Sequence, residues 1–455
     1  MQNITYELAE FTKELKYENL TEETVTNVKR FLLDSIGCAY GGSQTEDVEI
    51  MLDFYNEMGG KAEATVINSD KKLPMINQAL LNSLMIRALD YNDIYWDQDP
   101  SHPSDIIPAA LTPAEVLHKS GKDLITAIVL AYEWEMRLCE FAVPGIRERK
   151  WHHATLTQFA SPLVAGKVLG LSVEEMVHAI GISGSHNLTL GAVTAGKLTM
   201  MKNTVDPMAT QAGLYSAMLA KRGYEGPAHV IDGKEGLTDT FGGRFDLNIL
   251  TDGLGDTFRI NKCSMKAFPT EALTHTPLSA VIKIMKEQNI AKGDIDEVTI
   301  GTVARAADIL ADPTKYDPRT RETADHSLPY CISAAIVDGS VTPASFKTEK
   351  IMDQEVRSFL PKIKVIADPE FEKTFPGLKQ ASAEIKTKDG KKHKIILDYP
   401  LGDYREPMDE KTLLSKFDSM VIPVIGQARR DRLVDAVMSI EKEKDVADFM
   451  KLLMK

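Results

Sequence analysis

From about residue 20 to residue 225, apolar side chains recur every three or four positions, as in TVTNVKRFLLDSIGCAYGG (24–42), INQALLNSLMIRALDY (76–91) and DLITAIVLAYEWEMRLCEFA (123–142). That spacing places one apolar stripe along each segment and predicts helices packed as a bundle. Start signals accompany it. Thr112-Pro113-Ala114-Glu115 has the order of a cap, a first-turn proline and a capping-box glutamate, and Ser172-Val173-Glu174-Glu175 repeats the box without the proline. The pair Gly41-Gly42 predicts a helix stop.

Near residue 263 the pattern shifts to helical stretches mixed with short alternating or β-branched ones: DEVTIGTVA (296–304), KIKVIAD (362–368) and SAEIKTKDGKKHKIILDYP (382–400). The last predicts a hairpin, because Asp389-Gly390 suits a positive-φ turn between two alternating strands. The run MDEKTLLSKF and the final segment from Arg429 are helical again. The fold expected is mainly α with a smaller α/β domain: an all-helical domain over 1–262 and 405–455, and an α/β domain over 263–404.

A chain of 455 residues exceeds the size at which one core stops growing, so composition agrees with two domains. The net charge of −13 argues against nucleic acid or an anionic membrane surface as a partner, while leaving room for a small anionic substrate in a locally positive pocket. No signal peptide or apolar run of about 18 residues is readable, so a cytoplasmic protein is expected. Cys38, Cys139, Cys263 and Cys331 lie far apart, with no spacing that suggests an iron–sulfur cluster.

The densest chemistry lies in LDYNDIYWDQDPSHPSD (89–105), where Asp90, Asp93, Asp97, Asp99 and Asp105 surround three aromatics and His102. It fails the EF-hand template, since position 6 is Tyr95 counted from Asp90 and His102 counted from Asp97. There is no H-E-x-x-H, and neither phosphate-loop signature occurs between a strand and a helix. No metal and no cofactor are therefore expected, and acid–base chemistry remains. Left alone, the loop reads as a solvated acidic turn, against which Tyr91, Tyr95 and Trp96 argue.

Three further segments compete with equally plain structural roles. Trp151-His152-His153 precedes a small-residue helix, whose positive end disfavours an imidazolium and keeps a histidine available as a base. Lys197 and Lys202 sit among small and apolar residues, as snorkelling chains or as cations for a substrate carboxylate. His326 and Tyr330 are four apart, on one face if the segment is helical.

Taken in order, LDYNDIYWDQDPSHPSDIIPA (89–109), WHHATLTQFASPLVAGKVLGL (151–171), MMKNTVDPMATQAGLYSAMLAKRGYEGP (200–227) and DHSLPYCISAAIVDG (325–339) resemble the MmgE/PrpD family, as do FLLDSIGCAYGG and KAFPTEALTH (266–275). The resemblance implies a helical domain with an α/β lid, a homodimer, an active site between the domains, and cofactor-free proton transfer at carbon next to a carboxylate. It implies Asp90, His102, His153, Lys202 and Tyr330 as catalytic, and Ile94, His152, Lys266, His275 and His326 as substrate contacts. Ile94 stands where the family commonly has a threonine. The function implied is dehydration of 2-methylcitrate or citrate. Alternatives are an epimerase of a dicarboxylate or imino acid, a cis-aconitate decarboxylase, or a non-catalytic carboxylate-binding protein.

Overall fold

The computed structural model describes residues 3–195 and 198–455. Lys197 lies outside the described residues. The chain divides into two units, Met1–Cys263 with Leu414–Lys455, and Ser264–Leu413.

The first unit is built from helices α1 (Ile4–Glu14), α2 (Glu22–Gly42), α3 (Glu46–Met58), α4 (Met75–Arg87), α5 (Ile107–Val116), α6 (Gly121–Glu140), α7 (Ala154–Leu169), α8 (Val173–Gly184) and α9 (Met201–Ala220). Their boundaries follow local chemistry. The Ser172 hydroxyl accepts from Glu175 N at 3.2 Å, and Glu175 answers by accepting from Ser172 N at 2.7 Å, the reciprocal box expected from the sequence. Helix α2 ends at Gly42, as the glycine pair predicted.

The Thr112-Pro113 start is corrected. Helix α5 already runs from Ile107, and Pro113 lies inside it. Glu115 is no cap. It is buried and accepts from Thr65 N at 2.9 Å and from the Thr65 hydroxyl at 2.5 Å. A demand for these internal hydrogen bonds outweighed the local start signal.

Central helices bury more than one stripe. Every residue of α4 except Ile76, and every residue of α7 except Lys167, is buried. The polar groups of α4 are accordingly paired: Gln78 Nε2 donates to Thr65 O at 2.6 Å and the Ser83 hydroxyl to Asp105 O at 2.6 Å. Helix α7 packs along α6, α8 and α9, and α4 along α2 and α9. These contacts bring α4, α6, α7 and α9 around the loop 89–105.

The second unit carries a four-stranded sheet in the order 392–397, 381–387, 295–302, 363–367. The 295–302 and 363–367 strands are parallel, with Val298 opposite Ile363, and the other pairs are antiparallel, with Ala383 opposite Ile300. The predicted hairpin is present, and Gly390 takes the positive φ of 86° in its turn. Helix His275–Glu287 packs on the 381–387 strand, and helix Leu328–Asp338 packs on that helix. Among the described residues no helix is long and apolar enough to cross a membrane.

Candidate active site

The acidic loop is not a solvated turn. Asp93, Asp99 and Asp105 are all buried, and only Asp97 of its five aspartates is exposed. Its chain forms a small antiparallel ribbon, Asp93–Trp96 against Pro100–Ser101. The buried carboxylates hold the loop together. Asp93 accepts from the Ser104 hydroxyl at 2.6 Å and Ser104 N at 3.1 Å, and Asp99 accepts from Ile146 N at 2.8 Å and Arg147 N at 2.9 Å. Asn92 donates to Asp105 Oδ1 at 3.0 Å and to Ser104 Oγ at 2.9 Å.

This scaffold fixes His102. Its Nδ1 lies 2.6 Å from Asp93 O. A carbonyl oxygen only accepts, so Nδ1 carries the hydrogen, and in the neutral ring the lone pair is on Nε2. The ring faces His153, with centroids 5.7 Å apart at 60°. His153 occupies the N-cap position of α7, and His152 stacks on it at 3.9 Å between centroids.

The two adjacent histidines differ in what their neighbours leave them. His152 Nδ1 accepts from Ala154 N at 3.1 Å, so its lone pair caps α7. Burial and the neighbouring His153 push the His152 pKa well down, which keeps it neutral. His153 Nε2 instead approaches Asp206 Oδ1 at 3.4 Å. Asp206 is buried, yet the adjoining His153 and the Arg87 guanidinium hold its carboxyl far below the ordinary range.

A cationic group completes the cluster. Asp90, at the end of α4, has φ of 50°, a left-handed conformation that aspartate tolerates better than most residues. Its carboxylate accepts from Arg87 Nη1 and pairs with Lys202 Nζ at 3.0 Å. Arg87 Nε lies 3.6 Å from Asp105 Oδ2. Burial disfavours the guanidinium charge, but Asp90, Asp105 and Asp206 outweigh it and raise its pKa. Burial also pushes Asp105 well up, and Asp93 up to about 6 against the bonds from Ser104.

One ligand atom each from His152, His153 and Asp206 lies within 4.8 Å of the others. A divalent ion there would meet the Arg87 charge, which acts on both His152 and Asp206.

Residues 6–250 match the MmgE/PrpD N-terminal domain and residues 268–440 the MmgE/PrpD C-terminal domain. The chain belongs to the MmgE/PrpD family. Among its relatives in that family is the cis-aconitate decarboxylase of Mus musculus, 25% identical, covering 100% of this chain and 94% of its own. That of Aspergillus terreus is 24% identical over 99% of this chain and 96% of its own. The 2-methylcitrate dehydratase of Salmonella typhi is 22% identical over 92% of this chain and 91% of its own. These MmgE/PrpD relatives are lyases by name.

Of the residues that the family resemblance implied, Asp90, His102, His152, His153 and Lys202 come together in the first unit. Ile94 lies half-buried in the 93–96 strand. The others are in the second unit. Lys266 Nζ donates to Thr270 O at 3.1 Å, and His275 Nε2 lies 3.2 Å from the same carbonyl. His326 Nδ1 is 2.5 Å from Asp325 Oδ1. It does not share a helical face with Tyr330, because Ser327 caps a helix that begins at Leu328. The Tyr330 hydroxyl is buried and donates to Ser345 O.

Arg87, Asp206 and Glu135 escaped the reading from residue patterns, and Asp105 entered it only as part of the acidic loop. Arg87 carries the only charge among the thirteen residues of α4, and Asp206 follows Lys202 by four, so both face one way on α9. Those were the available signals.

Proposed function

We propose that this protein is a lyase of small polycarboxylates that works by proton transfer between histidines, dehydrating 2-methylcitrate or citrate to the corresponding cis-alkene. The observation that supports it most is the buried pair His102 and His153, 5.7 Å between ring centroids, beside the cations Arg87 and Lys202. In this reading His102 Nε2 takes the proton from the carbon next to a carboxylate, and that C–H electron pair becomes the new double bond. His153, oriented by Asp206 at 3.4 Å, gives a proton to the departing hydroxyl, which leaves as water. Lys202 and Arg87 stabilise the enediolate-like charge that builds on the substrate carboxylate. Every step uses the chain's own side chains.

A second reading, decarboxylation of cis-aconitate, is favoured by the near-complete coverage of this chain by the decarboxylase relatives. There His153 would deliver its proton to carbon after loss of CO2.

The test is direct. Incubation with citrate and 2-methylcitrate should raise the ultraviolet absorbance of a conjugated alkene, while CO2 release from cis-aconitate would favour the second reading. His102→Ala and His153→Ala should each lower turnover by about 10²- to 10⁴-fold. Normal turnover in His102→Ala would remove the proposed base. No reaction in either assay, with carboxylate binding by calorimetry, would indicate a binding protein instead.

A further inference from the structure

Outside the pair itself, one buried group touches both segments that carry it. Glu135 on α6 is fully buried. Its Oε1 accepts from the hydroxyl of Ser101, the residue before His102, and from Thr157 Oγ1 at 2.8 Å. Thr157 lies four residues after His153 on α7, one turn along the same face. Glu135 Oε2 has no hydrogen-bond partner among the described residues. A carboxylate whose single oxygen receives two hydroxyl donors from two different elements fixes the separation of those elements.

We propose that Glu135 is a positioning residue that sets the spacing and the basicity of the His102–His153 pair through its ties to Ser101 and Thr157. The proposal rests on the histidine proton-transfer reading above and extends it to a group bonded to Ser101 and Thr157.

Charge agrees with geometry. The charged groups that bear on Glu135 are Asp206 from α9 and Asp93 from the loop, both acidic, and its own charge is felt by Asp105 and by the Cys139 thiol one turn along α6. The contacts it receives from α7 and from the 100–101 strand are uncharged hydroxyls. Burial therefore prevails and pushes the Glu135 carboxyl up to about 8, even though the Ser101 and Thr157 bonds oppose it. Below that pH the pair meets a neutral neighbour. Above it a new negative charge enters the cluster.

The experiment follows the histidine ring signals by NMR of histidine-labelled full-length protein across pH 5 to 10, without substrate. In the wild type the His102 and His153 signals should show an inflection near pH 8. Glu135→Gln keeps the Oε1 acceptor and cannot ionise, so the fold and the ring positions should persist and that inflection should vanish. Glu135→Ala removes both ties, so the two signals should shift, with His152 following its neighbour, while the histidines outside this cluster keep theirs. If Glu135→Gln retains the inflection, or if Glu135→Ala leaves both signals unmoved, the proposal is overturned; if Glu135→Ala does not fold, the Glu135→Gln titration decides alone. Turnover on citrate, 2-methylcitrate or cis-aconitate is measured in parallel, with kcat falling more than tenfold and KM changing less than threefold in Glu135→Ala. Absence of turnover in the wild type with the inflection present would remove the lyase reading and leave the positioning role standing.

Discussion

At residue scale, the site depends on carboxylates that the fold treats in opposite ways. Asp206 is held ionised by His153 and Arg87, whereas Asp93 and Glu135 are pushed up to about 6 and about 8. The consequences for stability have opposite signs. A depressed carboxyl stabilises fully above its ordinary value of 3.8 and loses that contribution as pH falls below it. Raised carboxyls favour the folded state most below their ordinary values of 3.8 and 4.5, and that advantage is lost as pH rises towards about 6 and about 8. Thermal melts of Glu135→Gln should accordingly gain on wild type between pH 5 and 8. Asp206→Asn should lower turnover by about 10²-fold, because Asp206 lies 3.4 Å from His153 Nε2 and orients that ring; an unchanged rate would show that the ring is held without it. That Asp90, His102, His153 and Lys202 gather in one cluster was legible through the resemblance of their segments to the family. Asp206 and Glu135 were not, because one acidic residue on a helix has the same sequence appearance whether it is solvated or buried under a site.

At the scale of elements, periodicity and capping predicted the helices well and their surroundings less well. The 172–175 box, the Gly42 stop and the 381–397 hairpin rest on local hydrogen bonds, which neighbouring residues specify. Pro113 inside α5 and the short ribbon 93–101 depend on partners far along the chain, such as Thr65 for Glu115 and Ile146 for Asp99. One such distant partner is testable. Lys416 Nζ lies 2.6 Å from Asp34 Oδ1 and donates to Tyr91 O at 2.7 Å, next to Asp90. Asp34 is buried on α2, and burial raises its pKa despite Lys416. Lys416→Met should destabilise by about 3 to 5 kcal/mol in urea titrations, since it leaves a buried carboxylate without its counter-charge. Adding Asp34→Asn should restore most of the loss; failure to do so would assign the effect to packing.

At the scale of the whole molecule, the division predicted from texture concerns two units whose cores have different construction, one of helices buried on all sides and one of a four-stranded sheet under helices. The first unit also leaves apolar side chains outside. Ile50, Phe54 and Met58 of α3, and Met201, Met208 and Tyr215 of α9, are exposed. The helices adjoin, with Gln211 Nε2 donating to the Tyr55 hydroxyl at 3.2 Å, and a hollow of about 690 Å³ opens along α9. A patch of this kind marks an interaction surface, and the homodimer that the family resemblance implies would place it against its own copy. Light scattering should give a dimer mass, and Phe54→Glu combined with Met208→Glu should give a monomer that retains its helical circular dichroism. A wild-type monomer would refute the interface.

The first unit is also discontinuous, closing only with Leu414–Lys455. During synthesis the strands of the sheet emerge before Lys416 does, so Asp34 waits through some 380 residues for the charge that balances it. The order of completion is then the reverse of the order of translation: the second unit can form while the first stands open with its carboxylate uncompensated. A fragment ending at residue 263 should be protease-sensitive and prone to aggregation, and a separate segment 405–455 supplied in trans should protect it.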